Sequence, residues 1–201
     1  MKNLWIVIIL GILAYSAHAE KPPVIPQGIK YIKTSEKINQ DAVQILKKLF
    51  SGKATDKEVL SILENNTLWC GPYLWNQIKN DKAMSKLKKG KVNFRAPLLD
   101  NDGNIIRMEK YEGKLFQSKD EVLAFWKAFS NKIDFSDLKV RKLNPKELKI
   151  YWAMISWDIT EPLFILESKN HKILVVFTSP NELTITWIDD YAIDSHKKNT
   201  P

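Results

Sequence analysis

Between positions 35 and 50 the hydrophobic residues recur at steps of three and four, which is the spacing of one face of an α-helix. The apolar positions are Ile38, Ala42, Ile45, Leu46, Leu49 and Phe50. Gly52 follows as a stop signal, because glycine commonly ends a helix just after its last periodic residue. The pattern therefore predicts an amphipathic helix over residues 35–50.

Two capping boxes mark the starts of further helices. Thr55 and Glu58 precede a short apolar stretch, and Ser118 and Glu121 precede a longer one. In such a pair each side chain bonds a backbone N–H group that the first helical turn leaves without a partner. We predict a short second helix after Thr55 and a helix with one apolar face over about 118–130.

The remaining apolar stretches alternate or are rich in β-branched and aromatic residues, as is typical of strands. The segments 92–99 and 105–116 flank residues 100–104, whose Asp-Gly step favours a hairpin turn. Five later strands are predicted at about 138–143, 148–158, 163–168, 172–178 and 182–191. Turn residues separate these strands, so consecutive ones can pair as an antiparallel meander.

This order of elements predicts an α+β fold in which a cone-like, curved antiparallel sheet wraps around two to three N-terminal helices. The stretch 111–114 running into 118–126, and the closing strand 186–191, resemble the nuclear transport factor two-like superfamily, which includes ketosteroid isomerase and SnoaL-like proteins. The resemblance covers about residues 36–192. It implies a pocket between sheet and helices and a homodimer through the sheet, and the superfamily uses the fold for catalysis and for plain binding.

The N-terminus has the three parts of a secretory signal peptide. Lys2 is the basic start, 4–14 is a short apolar run, and Ala17-His18-Ala19 is a small-x-small cleavage site. We predict a signal peptide over 1–19, cleavage near Ala19, and a periplasmic or secreted protein. The alternative is an uncleaved anchor that holds the domain at the outer face of the membrane.

The chain after the predicted signal divides into three parts. Residues 20–34 contain three prolines and no periodicity, which indicates an extended lead-in. Residues 35–192 are the right length for a single α+β domain. Residues 193–201 form a polar tail.

The formal net charge of the whole chain is +8, but only three of its 31 basic residues are arginine, namely Arg95, Arg107 and Arg141. Arginine is the side chain suited to bidentate contacts with phosphates and base edges. We therefore expect no specific nucleic-acid binding. The positive charge leaves weak attraction to an anionic membrane surface or polysaccharide as an alternative. The simpler interpretation is that the lysines are scattered over a solvated face.

Cys70 is the single cysteine, so the chain cannot form an internal disulfide. The segment 69–72 resembles the thioredoxin motif, but Tyr73 stands where the second cysteine would be and Cys70 is expected to follow a helix rather than a strand. Dithiol exchange is excluded because it needs a resolving thiol. We expect a buried, unreactive cysteine, with a reactive single thiol as the minor alternative.

His171 and His196 are the histidines left after cleavage, and neither has an acidic or thiol partner at ligand spacing. We therefore expect no metal site, no catalytic histidine and no cofactor.

Aromatic residues are the candidate ligand-binding residues. Five of them lie at inward-compatible positions on the last helix and the later strands: Phe125, Trp126, Trp152, Trp187 and Tyr191. In the last strand Ile185, Trp187, Asp189 and Tyr191 alternate and would share one face. Burial there would raise the pKa of Asp189 and make it a candidate general acid or base. The alternative, which we favour, ends the strand near position 188 and leaves Asp189 in water.

These observations favour an exported protein that binds a small apolar molecule in a cavity, without catalysis. One alternative is a small-substrate isomerase, cyclase or hydrolase that uses a buried acid, either Asp189 or Asp158. Another is a protein-interaction module of an envelope or secretion assembly, acting through the sheet face or the lysine-rich stretch 82–91.

Overall fold

The computed structural model describes residues 30–63, 68–85, 87, 92–99, 105–145, 147–148, 151, 159–160, 162–179 and 181–190. The predicted signal peptide, the first part of the lead-in, the turn at 100–104 and the polar tail lie outside these residues.

The described part contains four helices longer than one turn: α1 (Glu36–Leu49), α2 (Asp56–Ile62), α3 (Pro72–Ile78) and α4 (Lys119–Lys132). The helix predicted over 35–50 is confirmed as α1, whose N-cap is Ser35. The first predicted capping box is also confirmed, since Thr55 accepts from the Glu58 N–H and Glu58 accepts from the Thr55 N–H. The Thr55 N–H and the ammonium group of Lys48 hold the pKa of Glu58 at about 2.

The second predicted capping pair is confirmed only in its first half. The Glu121 N–H donates to the Ser118 hydroxyl, which makes Ser118 the N-cap of α4. The Glu121 carboxylate, however, accepts from the Gln117 N–H instead of the Ser118 N–H. Glu121 also pairs with the buried Lys114 of the preceding strand, at 3.3 Å, and this second partner explains its different orientation.

The strands are β1 (Tyr31–Ile32), β2 (Leu68–Cys70), β3 (Val92–Leu99), β4 (Ile105–Phe116), β5 (Lys139–Lys142), β6 (Ile159–Thr160), β7 (Leu163–Glu167), β8 (Lys172–Phe177) and β9 (Ile185–Asp190). Seven of them form a sheet in the order β3-β4-β2-β9-β8-β7-β5, and β1 pairs with β6. The predicted hairpin β3–β4 and the meander β7–β8–β9 are confirmed as antiparallel pairs.

The sheet is mixed, so the prediction of a wholly antiparallel sheet is wrong. The reason is β2, which lies antiparallel to β4 and parallel to β9 and so joins the hairpin to the meander. A strand of three residues is too short to give a period-two pattern, and its Trp69 and Cys70 gave no strand signal.

The strand predicted at 148–158 is wrong where the chain is described. Leu148 and Tyr151 have helical conformation, together with Pro145 and Glu147. Asn144 starts this turn: its side chain accepts from the Glu147 N–H and its carbonyl from the Leu148 N–H, each at 3.0 Å. Asparagine followed by proline can begin a helix as well as end a strand. The apolar residues that follow suggested a strand, so the helix start was not recognised.

Two hydrophobic clusters lie on the two faces of the sheet. The larger cluster packs α1–α4 against one face, with Phe164, Val175 and Ile188 among its strand residues. The smaller covers the opposite face with Leu148, Tyr151, Leu163, Ile165, Leu174, Val176 and Trp187. A register shift in the β8–β9 pair puts Ile185 in the larger cluster and Trp187 in the smaller. The prediction that these two side chains share a face is therefore wrong.

None of the helices in the described residues has the length and hydrophobicity needed to cross a membrane.

Candidate functional site

The predicted aromatic site residues do not form one wall. Phe125 is fully buried in the helix-side cluster and stacks on Phe129, with ring centroids 5.6 Å apart. Trp187 is 5 % exposed and lies in the cluster on the opposite face of the sheet. Trp152 and Tyr191 lie outside the described residues, as does Asp158. Of the described members, only Phe125 and Trp126 are brought to the same side.

Asp189 is fully buried at the end of β9, so the interpretation that it faces water is wrong. Its Oδ1 atom accepts hydrogen bonds from the N–H groups of Leu74 at 2.8 Å and Asp190 at 2.9 Å. Leu74 is in the first turn of α3, whose N-cap residue is Gly71. Because glycine has no capping side chain, Asp189 caps α3 from the neighbouring strand.

The second carboxylate oxygen of Asp189, Oδ2, makes no hydrogen bond to any described residue. It packs against Gly71. Burial raises the pKa of Asp189 well above its ordinary value. The hydrogen bonds from the N–H groups of Leu74 and Asp190 act to lower the pKa but do not cancel this effect. The pKa is thus perturbed as a catalytic acid would require, but the carboxyl group touches the α3 backbone and not an open pocket.

His171 has an acidic partner that lies far from it in the sequence. Its Nδ1 lies 2.8 Å from Oδ2 of Asp190, whose side chain is fully buried. Gln77 and the Lys172 N–H also donate to this carboxylate. Burial raises the pKa of Asp190, but these three hydrogen bonds outweigh it and leave the pKa lowered.

The contact could have been inferred from the predicted pairing of the strands that form β8 and β9. Ile173 lies opposite Asp190, so the residues just before β8 must lie near the end of β9. The interaction ties α3, β8 and β9 together through Gln77, His171 and Asp190.

Cys70 is the last residue of β2, which follows the capping-box helix α2, and α3 begins two residues later, so the cysteine lies at a strand–helix junction that the sequence did not predict. Its side chain is fully buried. Burial raises the pKa of the Cys70 thiol, and the adjacent Asp189 charge raises it further. A thiol that ionises this poorly, without solvent access, is a weak nucleophile.

We predict that Cys70 reacts with a neutral-pH thiol reagent only after denaturation, because its thiolate is both inaccessible and disfavoured. Replacing Cys70 by alanine should lower the free energy of unfolding by about 1 kcal/mol through lost packing, with ligand binding intact. Labelling of the native protein at the rate of a free thiol would contradict the prediction.

Trp126, on α4, is a partly exposed member of an aromatic cluster. Its ring centroid lies 5.5 Å from that of Phe50, 5.7 Å from that of Phe129 and 5.4 Å from that of Phe135. Edge-on and tilted packing of this kind fixes the indole, while part of its surface stays exposed. The side chain is therefore a rigid, half-buried aromatic surface.

Two open grooves adjoin at Trp126. The first, of about 580 Å³, lies between the end of α1 and the segment that follows α4; it is lined by Leu49, Ser51, Gly52, Ala54, Trp126 and residues 130–136. The second, of about 800 Å³, lies between α2, α4 and the 3₁₀ turn Lys82–Met84. It is lined by Asp56, Asp81, Lys82, Ala83, Leu123, Ala124, Trp126, Lys127 and Asn131. Trp126 and Asn131 belong to both.

We call these two spaces the Trp126 grooves. Both volumes fall in the range of small-ligand sites, about 300–1,000 Å³. Neither groove is lined by Asp189, Asp190 or His171. Trp126 was predicted from the sequence as a ligand-binding residue. The other lining residues were not predicted, because they come from segments that are far apart in the chain.

Within the described residues, no group of three or more histidine, cysteine, aspartate or glutamate side chains could hold a metal ion. Comparison of the chain with protein-family models, with curated proteins and with solved structures finds no match.

Proposed function

We propose that this is an exported protein that binds a small molecule without catalysis, and that the molecule lies in the Trp126 grooves with an apolar face against the indole. The observation that supports this is the position of Trp126, a rigid and partly exposed aromatic ring at the junction of two ligand-sized grooves. This replaces the cavity wall expected from Phe125 and Trp187, which the sheet separates.

The proposal includes the nuclear transport factor two-like architecture, with a cone-like sheet around the helices. Its support is the element order: helices before a long hairpin, a helix directly after it, then an antiparallel meander. All four helices pack on one face of the sheet, as a cone would require.

Binding is preferred to catalysis because the two buried carboxyl groups with shifted pKa values, Asp189 and Asp190, are committed to structural contacts. Asp189 caps α3 and Asp190 anchors Gln77 and His171. A general acid or base must reach the proton that it transfers. Neither carboxylate lines the Trp126 grooves.

An interaction module that uses the sheet face has less support. The outer face already packs against Leu148 and Tyr151 of the same chain, which also weighs against a homodimer formed there. Among the residues whose side-chain burial is described, the large hydrophobic residues that are strongly exposed are Ile32 and Ile106, which lie on different strands.

The predicted affinity is modest. Burial of apolar surface contributes about 25 cal/mol per Å², so covering the exposed part of one indole with a ligand gives only part of the roughly 8 kcal/mol of a micromolar complex. Hydrogen bonds from the polar rim must supply the rest.

Titration with the neutral apolar dye Nile red tests this site. We expect saturable binding that weakens about tenfold or more in Trp126→Ala and less in Trp126→Phe, which keeps more of the aromatic packing. Trp75→Phe is the matched control, since Trp75 is half-buried but lies outside both grooves.

Thermal unfolding of each variant shows that it is folded at the titration temperature. Equal dye binding by folded Trp126→Ala and by the unaltered protein would overturn the proposed site.

A further inference from the structure

We propose that the ligand of the Trp126 grooves is a neutral saccharide chain. This rests on the proposed function and goes further, because it names the chemical class of the ligand. Three features of the grooves support it: their balanced charge, their hydrogen-bonding side chains beside an aromatic face, and their openness to solvent.

The charges around the grooves cancel. The two linings contain three carboxylates, Asp56, Asp81 and Asp134, and three ammonium groups, Lys82, Lys127 and Lys132. A site for a phosphate, a carboxylate or a cation concentrates one sign of charge. Despite the net positive charge of the whole chain, these grooves therefore match a ligand that carries no net charge.

Polar side chains line the Trp126 grooves beside the indole. The Asn131 side chain makes no hydrogen bond within the described part of the chain, although it lines both grooves. Asp81 uses Oδ1 to accept from the Ala83 N–H, and Asp134 uses Oδ1 to accept from the Ser136 N–H. The Ser136 side chain also bonds the Asp134 carboxylate, so among the described residues the second oxygen of Asp81 is the carboxylate oxygen that stays available to a ligand.

The Asn131 amide can accept from and donate to neighbouring hydroxyl groups, and a carboxylate oxygen can accept from them, since each hydroxyl is both a donor and an acceptor. A pyranose ring carries hydroxyl groups on its rim and C–H groups on its faces. The C–H groups can lie on the electron-rich face of an indole while the rim reaches the polar side chains. A purely apolar ligand would make no hydrogen bond to Asn131 or Asp81 and would leave both to water.

The form of the grooves favours a chain of sugar units over a single compact molecule. Two grooves of about 580 and 800 Å³ meet at Trp126 and both are open to solvent. A compact ligand that binds well is largely enclosed by its pocket. A chain can instead run from one groove to the other across the indole, and its ends can stay hydrated.

The test is isothermal titration calorimetry of the whole chain with chitotetraose, cellotetraose and maltotetraose, with polygalacturonate as the charged comparison. We expect at least one neutral tetrasaccharide to bind and polygalacturonate to bind only in low salt. Trp126→Phe and Asn131→Ala should each weaken that binding about threefold to tenfold. Asn131 is exposed, so its replacement should not affect folding.

Asn76→Ala is the matched control, because Asn76 is an exposed helical asparagine outside both grooves. If Nile red binds in a Trp126-dependent way but no neutral tetrasaccharide does, the saccharide inference is overturned and the proposed function stands. If neither binds, both are overturned. Saccharide binding that Asn131→Ala and Trp126→Phe leave unchanged also overturns the inference, since the site would lie elsewhere.

Discussion

Replacing Gly71 by alanine is expected to lower the free energy of unfolding by about 3 kcal/mol or more. A Cβ atom on Gly71 would overlap the Cβ, Cγ and Oδ2 atoms of Asp189. The carboxyl group cannot move aside, because it is fully buried and its Oδ1 is bonded to the Leu74 and Asp190 N–H groups. Either β2 must separate from β9, or α3 must lose its cap.

Chemical denaturation of Gly71→Ala beside Gly52→Ala measures this effect. Gly52 has φ +72°, and a Cβ there would meet no atom within 4 Å, so its replacement costs only backbone strain, about 1 kcal/mol. If the two variants lose the same stability, the close contact with Asp189 is not what requires glycine at position 71. In Gly71→Ala/Asp189→Ala the two losses should be less than additive, since the second change removes the overlapping atoms.

Local patterns were sufficient to predict most helices and the longer strands. The periodicity of 35–50, the Thr55–Glu58 box and the Asp-Gly step between the segments that pair as β3 and β4 all depend on residues within a few positions of one another. β2 could not be predicted, because three residues carry no period and its partners Lys114 and Ile188 are distant in sequence. The turn after Asn144 was missed because its apolar residues suit a strand equally well.

The candidate site was less predictable, because its contacts join distant segments. Trp126 could be named from the helical pattern, but the groove depends on where α1, α2 and the 3₁₀ turn meet α4. The burial of Asp189 depends on β2 and α3 lying beside β9. Trp187 was assigned to the helix side from strict alternation, and a single register shift reversed its face.

Asp189 is expected to make the protein less stable as the pH rises above about 4. Burial raises its folded-state pKa well above the ordinary value of 3.8, so the folded protein holds the proton more tightly than the unfolded chain. The stabilisation is therefore complete below about pH 4 and is lost as the pH rises towards the folded pKa. Asp190 acts in the opposite direction, since its lowered pKa removes stability only as the pH falls below about 4.

Asp189→Asn isolates this effect, because the amide keeps an oxygen that can accept from the Leu74 N–H and never ionises. The unfolding free energy of the variant minus that of the unaltered protein should increase with pH above about 4, by up to about 1.4 kcal/mol per unit. Urea denaturation across pH 4–8 measures the difference, and Asp41→Asn, at an exposed position of α1, shows the effect of removing one surface charge. Parallel curves for Asp189→Asn and the unaltered protein would mean that Asp189 stays ionised when buried, with its charge held by the first turn of α3.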